Sequence, residues 1–280
     1  MNVGELLQYG FIQRALLAGV FVALLCSNLG VLLVLRRLSL IGDGLAHVTF
    51  GSVALGLVLR VYPLYAAIPL VMLSSLGILK LTQKARIYGD AAIGVVSAFG
   101  IAGGVVLASI AGGFNVDLFS YLFGNILAIS AAEVLTAVVL SMAALLIVYL
   151  YYHELLSITF DEEFARASGI NADRLNAVVV LLTAVTVVLT MRVVGILLTS
   201  ALLILPAVTS LQLARGFRHS LVIASAASVF SVVAGIALSF YADLPTGATI
   251  VLINLLLFVA AFAFKSALVM LRSRSGRHGS

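Results

Sequence analysis

In the segment Ser39-Leu-Ile-Gly-Asp43-Gly-Leu-Ala-His47, an aspartate and a histidine stand four residues apart, with Val, Leu, Ala and Gly around them for tens of residues. That spacing puts both side chains on one face of a helix. A carboxylate and an imidazole together suit a divalent transition-metal ion. Ionisable groups in an apolar medium cost about 2.5–3.5 kcal/mol each on insertion scales, so this pair needs a partner or a function. The structural alternative is a helix start in which Asp43 is an N-terminal charge and His47 is hydrogen-bonded in a packed core. Position argues against it. His47 lies beyond the basic loop, among Gly42, Gly44, Gly51, Ser52 and Gly56, and small residues let helices approach closely or leave room for a solute. Two ligands do not complete a metal shell, so a second copy of the chain, water or other helices must supply the rest. Neutral imidazole is the binding form, so the pair's hold on an ion weakens at low pH.

The elements that must position this pair are membrane spans. Hydrophobic residues make up 63% of the 280 positions and charged residues 10%, against about 25% charged in soluble domains. The chain therefore reads as an all-α, polytopic membrane protein of about eight or nine transmembrane helices. Apolar windows lie near 15–35, 41–59, 62–79, 91–111, 131–152, 174–191, 193–213, 220–240 and 247–268, and one of the shorter pieces is a candidate for a re-entrant segment. The first is followed by Arg36-Arg37 without a small-residue cleavage site, so it reads as a retained helix. Placing those arginines in the cytoplasm also puts Lys80, Lys84, Arg86, Arg166, Arg174, Arg215, Arg218, Lys265, Arg272, Arg274 and Arg277 there; Arg14, Arg60 and Arg192 fall outside. The bias orients the N-terminus outside and the C-terminus in the cytoplasm of an inner or plasma membrane. It also accounts for the net charge of +5 without nucleic acid. The whole chain, 1–280, reads as a single transmembrane domain with a basic tail at 272–280.

Several other stretches interrupt the apolar pattern. Gly112 to Ser130 is half-polar and aromatic and reads as interfacial or re-entrant, with Phe114, Phe119, Tyr121 and Phe123 suited to headgroup level. Between His153 and Arg174, Thr159 or Asp161 can cap a short amphipathic helix that Gly169 closes. Pro206 breaks or kinks a span just before its cytoplasmic end, either as a packing kink or to form a short helix that docks on a cytoplasmic partner, with Arg215 and Arg218 at its end. Gly100 and Gly104 form a helix-packing pair, and Leu244-Pro245-Thr-Gly247 reads as an external turn. Asp117, Glu133 and Asp243 near the outer face read first as solvated charges, with attraction of cations the alternative, and Cys26 as a buried thiol, with a soft metal ligand the alternative. No phosphate-binding loop, H-E-x-x-H or G-x-S-x-G occurs, so any ATPase or catalytic domain belongs to another chain.

Taken in order, Ser39 to Val48 with Gly51-Ser-Val-Ala-Leu-Gly, Asp117 to Leu127, Asp161 to Asn171 and Val194 to Ala207 resemble the signature of manganese, zinc and iron ABC-importer permeases, the ABC-3 family. The matches run from about residue 10 to 270. Where many members carry Ser before the histidine and Pro four residues after it, this chain has Ala46 and Gly51. The resemblance implies a homodimeric permease of the type II importer fold, two cytoplasmic ATPase subunits and an extracytoplasmic metal-binding protein. It implies that Asp43 and His47 line the translocation path and contact the transported zinc, manganese or iron ion, with no resident cofactor in this chain and ATP bound on the partner. By analogy with cobalamin and siderophore permeases, the coupling element spans Pro206 to Arg218, with 157–170 beside it. That assigns Pro206, Arg215, Arg218, Glu162 and Arg166 to ATPase coupling.

Three rival readings are separable. A permease for a metal chelate such as cobalamin or a siderophore needs a wide path without ligating side chains, which Asp43 and His47 oppose. An ion-coupled secondary transporter would use the pair as a proton relay and run without an ATPase. An intramembrane metalloenzyme is poorly served by two ligands and no base.

Overall fold

The computed structural model describes residues 8–84, 88–110, 112–113, 116–126 and 129–275. Among them the α-helices are α1 (Gly10–Leu35), α2 (Ile41–Val58), α3 (Pro63–Lys84), α4 (Gly89–Ile110), α5 (Val116–Phe123), α6 (Ala131–Leu150), α7 (Tyr152–Phe160), α8 (Glu162–Ala167), α9 (Ala172–Val193), α10 (Thr199–Leu213), α11 (Phe217–Ala242) and α12 (Thr246–Ser275). Arg86, Phe114 and Arg277 fall outside the described residues, as do the side chains of Lys84, Asp117, Phe119, Arg272 and Arg274.

Eight of these helices, α1, α2, α3, α4, α6, α9, α11 and α12, are long and apolar enough to cross a bilayer. Burial sorts them into two classes. In α1, α2 and α9, 67, 67 and 72% of the spanning window is buried, against 22–33% in the other five. The interior helices are apolar all round, as a helix enclosed by other helices must be. α1 packs on α6, α9, α10 and α11, while α2 packs on α3, α4, α9 and α10. Their polar side chains are largely absorbed locally. Thr49, Ser52, Thr183, Thr186 and Thr190 each donate to the carbonyl four residues back, at 2.6–2.8 Å. The hydroxyls of Ser141 and Ser228 and Oδ1 of Asn254 have no such partner among the described residues.

The segment 193–213, expected as a ninth span, is broken. Gly195 takes φ +97°, a turn of 3₁₀ helix covers Ile196–Leu198, and only then does α10 begin. Its fifteen residues extend about 22 Å, short of the ~30 Å hydrocarbon core. The break is buried inside the bundle. A Cβ on Gly195 would meet the carbonyl carbon of Phe123 at 2.4 Å, and one on Gly247 would meet the carbonyl oxygen of Val194 at 2.1 Å. Three backbones thus meet at Gly124, Gly195 and Gly247; of the expected turn Leu244–Gly247, Gly247 lies in the first turn of α12 and serves as a packing contact. Irregular backbone of this kind is tolerated at membrane depth where protein encloses it. From there α10 runs back toward the Arg36 end, with Leu203 against Gly30 and Gly42.

The pair Gly100 and Gly104 sets the position of α2. A Cβ on Gly100 would lie 2.7 Å from Cα and N of Val48 and 2.8 Å from the carbonyl carbon of His47, and one on Gly51 would lie 2.7 Å from the oxygen of Gly100. α4 therefore presses directly on the backbone of His47. The absence of a proline at position 51 is explained by this contact, since any Cβ there would collide with backbone. Gly100→Ala is expected to lower stability by about 1–3 kcal/mol through overpacking, whereas Gly103→Ala, with nothing within 4 Å of its Cβ, costs nothing. Thermal unfolding of the two variants in detergent tests this, and equal midpoints would contradict the crossing.

Candidate functional site

α2 starts after a turn in which Arg37 takes a left-handed φ of 58°, and Leu40 at its N-cap makes no side-chain cap. Asp43 stands in the first helical turn, where the helix dipole favours an anion. Nε2 of His47 lies 3.5 Å from Oδ2 of Asp43, with the side chains 26% and 52% exposed. Those exposures decide against a sealed core histidine. Two ligands about 2.1 Å from one ion and at a tetrahedral angle stand about 3.4 Å apart, so the pair is already spaced as neighbouring ligands. The third polar group at the site comes from α10, where Ser200 donates its hydroxyl to Oδ1 of Asp43 at 3.4 Å. Among the described residues no three His, Cys, Asp or Glu gather as a metal cluster. Sequence reasoning missed Ser200, which is 157 residues from its partner. The available signal was the short, glycine-interrupted apolar segment ahead of Pro206, a pattern that marks transporter sites.

At the Arg36 end the structure joins two of the coupling candidates. Glu162 accepts from Arg166 at 2.8 Å, from Arg36 at 3.4 Å and from Asn176 at 3.3 Å, while Arg36 also donates to Oδ1 of Asn176 at 2.5 Å. Arg166 reaches Asp173 at 2.6 Å. The network ties the end of α1 to α8 and α9 beside a cavity of about 470 Å³ lined by Arg37, Gln83 and Thr159 among others. Burial pulls the pKa of the Arg36 guanidinium below its ordinary value, with Glu162 opposing. Hydrogen bonds to Asp173 and then Glu162 raise that of Arg166. Asp161 caps α8 through the N–H of Phe164 at 2.9 Å, and Gly169 closes it at φ +87°. Pro206 is buried within α10, whereas Arg215 and Arg218 are exposed beyond its end. Phe217 between them packs on Tyr152 and Phe160, with centroids at 5.6 and 6.2 Å. The segments 206–218 and 157–170 thus share one end of the bundle.

The family model for the ABC 3 transport family matches residues 8–265. The chain belongs to this family. It is 34% identical over 260 residues to the manganese transport system membrane protein MntC of Halalkalibacterium halodurans, covering 93% of this chain and 89% of that one. It is 32% identical over 245 residues to the high-affinity zinc uptake system membrane protein ZnuB of Haemophilus influenzae, covering 88% and 94%. Among solved structures, a chain of PsaBC from Streptococcus pneumoniae in complex with Fab superposes with a TM-score of 0.84 at 29% identity, covering 93% of this chain and 94% of that one. The fold is that of an ABC transporter permease.

The far end of this ABC 3 permease corrects one expectation. Glu133 is not a solvated charge. It is 5% exposed and paired with Arg192, and the same carboxylate accepts the N–H of Ser130 at 2.8 Å in the capping box that starts α6. Tyr121, one of the aromatics of 112–130, is buried, with the Arg192 guanidinium 4.5 Å from its ring centroid. Tyr62 joins the cluster, its hydroxyl pushed up to about 12 by burial and by its hydrogen bond to Glu133. Arg192 therefore has a structural reason to be at this end of the bundle. Asp243 closes α11 in a left-handed conformation and is exposed. Cys26 is sealed against Thr190 at 3.3 Å. Arg192→Met would strand a buried carboxylate and is expected to cost about 3–5 kcal/mol. Adding Glu133→Gln should recover most of it, as read from unfolding midpoints of the single and double variants; an Arg192→Met variant as stable as wild type would contradict the pairing.

Proposed function

We propose that this chain is the membrane permease of an ATP-driven importer of divalent transition-metal ions: zinc, manganese or iron. The observation that carries the reading is the Asp43–His47 pair, set at the separation of two ligands of one ion and left partly exposed, whereas the buried Glu133 is closed off by Arg192. The names of the similar manganese and zinc uptake proteins support it. In this reading an extracytoplasmic binding protein delivers the ion to the mouth formed by two copies of the chain. Asp43 and His47 replace part of its lost hydration, and having few ligands keeps the hold weak enough for release. Separate cytoplasmic ATPase subunits engage the Arg36 end, where Arg215, Arg218, Glu162 and Arg166 lie, with Pro206 in the helix that leads there. This end faces the cytoplasm under the positive-inside rule, with the N-terminus outside. α10 connects the two functions, since its first turn touches Asp43 and its last leads to Arg215.

Asp43→Asn and His47→Ala are each expected to reduce accumulation of labelled manganese(II) or zinc(II) in cells at least tenfold, with membrane abundance and recovery of the ATPase subunit unchanged. Normal uptake by both variants would remove the pair from the path. Uptake that persists when cellular ATP is depleted would favour the ion-coupled secondary transporter instead.

A further inference from the structure

α10 carries four hydroxyl side chains, and three of them settle within their own segment. Thr199 donates to the carbonyl of Gly195 at 2.8 Å, Thr209 to that of Leu205 at 2.7 Å, and Ser210 to that of Ala207 at 2.7 Å. That is the ordinary fate of a hydroxyl on a helix in an apolar setting. Ser200 departs from it and crosses to α2, donating to Oδ1 of Asp43. The crossing is built into the packing. One turn further along α10, Leu203 lies against Gly42, the residue before Asp43, and its carbonyl oxygen sits 2.0 Å from where a Cβ on Gly30 would be. Both neighbouring helices give up their side chains to hold this face of α10 in place.

The two carboxylate oxygens of Asp43 therefore have different neighbours. Oδ2 faces Nε2 of His47, and Oδ1 faces the Ser200 hydroxyl. We propose that Ser200 is a specificity-determining positioning residue of the metal path: by occupying Oδ1 it holds Asp43 as a one-oxygen ligand whose free oxygen points to the imidazole. The inference rests on the reading of Asp43 and His47 as ion ligands. A carboxylate held to one oxygen suits an ion of low coordination number such as zinc, which takes four ligands. A carboxylate free to chelate through both oxygens suits larger, oxygen-seeking cations of higher coordination number. At 3.4 Å the serine bond is long, so it orients the carboxylate without competing strongly for its charge.

The test is competition between manganese(II) and zinc(II) in cells that express the complete transporter, with membrane abundance followed in parallel. Uptake of labelled manganese is titrated with zinc, and the half-inhibitory zinc concentration is divided by the KM for manganese. Ser200→Ala is expected to raise this ratio at least twofold, whereas Ser200→Thr, which keeps the hydroxyl, stays within twofold of wild type. Loss of uptake in Ser200→Ala with retention in Ser200→Thr also supports the proposal, because the two side chains differ at this contact by the hydroxyl. A Ser200→Ala ratio within twofold of wild type overturns it, and so does equal loss of uptake in both variants. Asp43→Asn measured alongside separates the levels. If it transports normally, the ion path itself is misassigned; if it is inactive while Ser200→Ala keeps the wild-type ratio, the role of Ser200 alone fails.

Discussion

A bilayer interior offers no water to a carboxylate, a guanidinium or a peptide group, so each must find its partner within the protein. Much of this chain's architecture answers that demand. Glu133 is shared between a helix cap and Arg192, Arg36 is held by Asn176 and Glu162, and hydroxyls along α2 and α9 turn back onto their own helices. Asp43 and His47 are the departure. They face each other at 3.5 Å, with one long bond from Ser200 and substantial exposure. Under the proposed function, a polar site kept this lightly held suits a passing cation, because strong internal partners would have to be broken at each passage.

Backbone contacts without intervening side chains give this lightly held pair a defined position. Gly51 and Gly100 bring α4 against the main chain of His47, and Gly30 and Gly42 admit Leu203 of α10. The junction of Gly124, Gly195 and Gly247 fixes where α10 begins, inside the bundle. The same helix ends near the aromatic cluster of Phe217, Tyr152 and Phe160. A single helix, α10, thus runs from the carboxylate toward the end of the molecule where Arg215 and Arg218 lie. Under the proposed function, movement of this helix would link events at the two ends.

Where local reading of the residues failed, a distant partner was responsible. Glu133 looked solvated because Arg192 lies 59 residues away, and the cation over the Tyr121 ring likewise comes from a helix distant in the chain. The stretch 193–213 has the hydropathy of a span, yet Gly195 meets two other glycines there and the helix restarts four residues later. Hydropathy averages over a window and has no term for the close approach of another backbone. The capped helix at 161–169, by contrast, depends on contacts three or four residues apart and was readable in advance.

The membrane class, the number of apolar segments, the one-turn spacing of Asp43 and His47 and the family signature are all written in composition and short-range order. They rest on hydrophobic transfer and helix periodicity, which act residue by residue. The third polar group at the site, the break before α10 and the burial of Glu133 arise where segments far apart in the chain are forced together. Their energies depend on whether a Cβ, a carbonyl or a charge from elsewhere occupies the same space, and that is a property of packing rather than of local order.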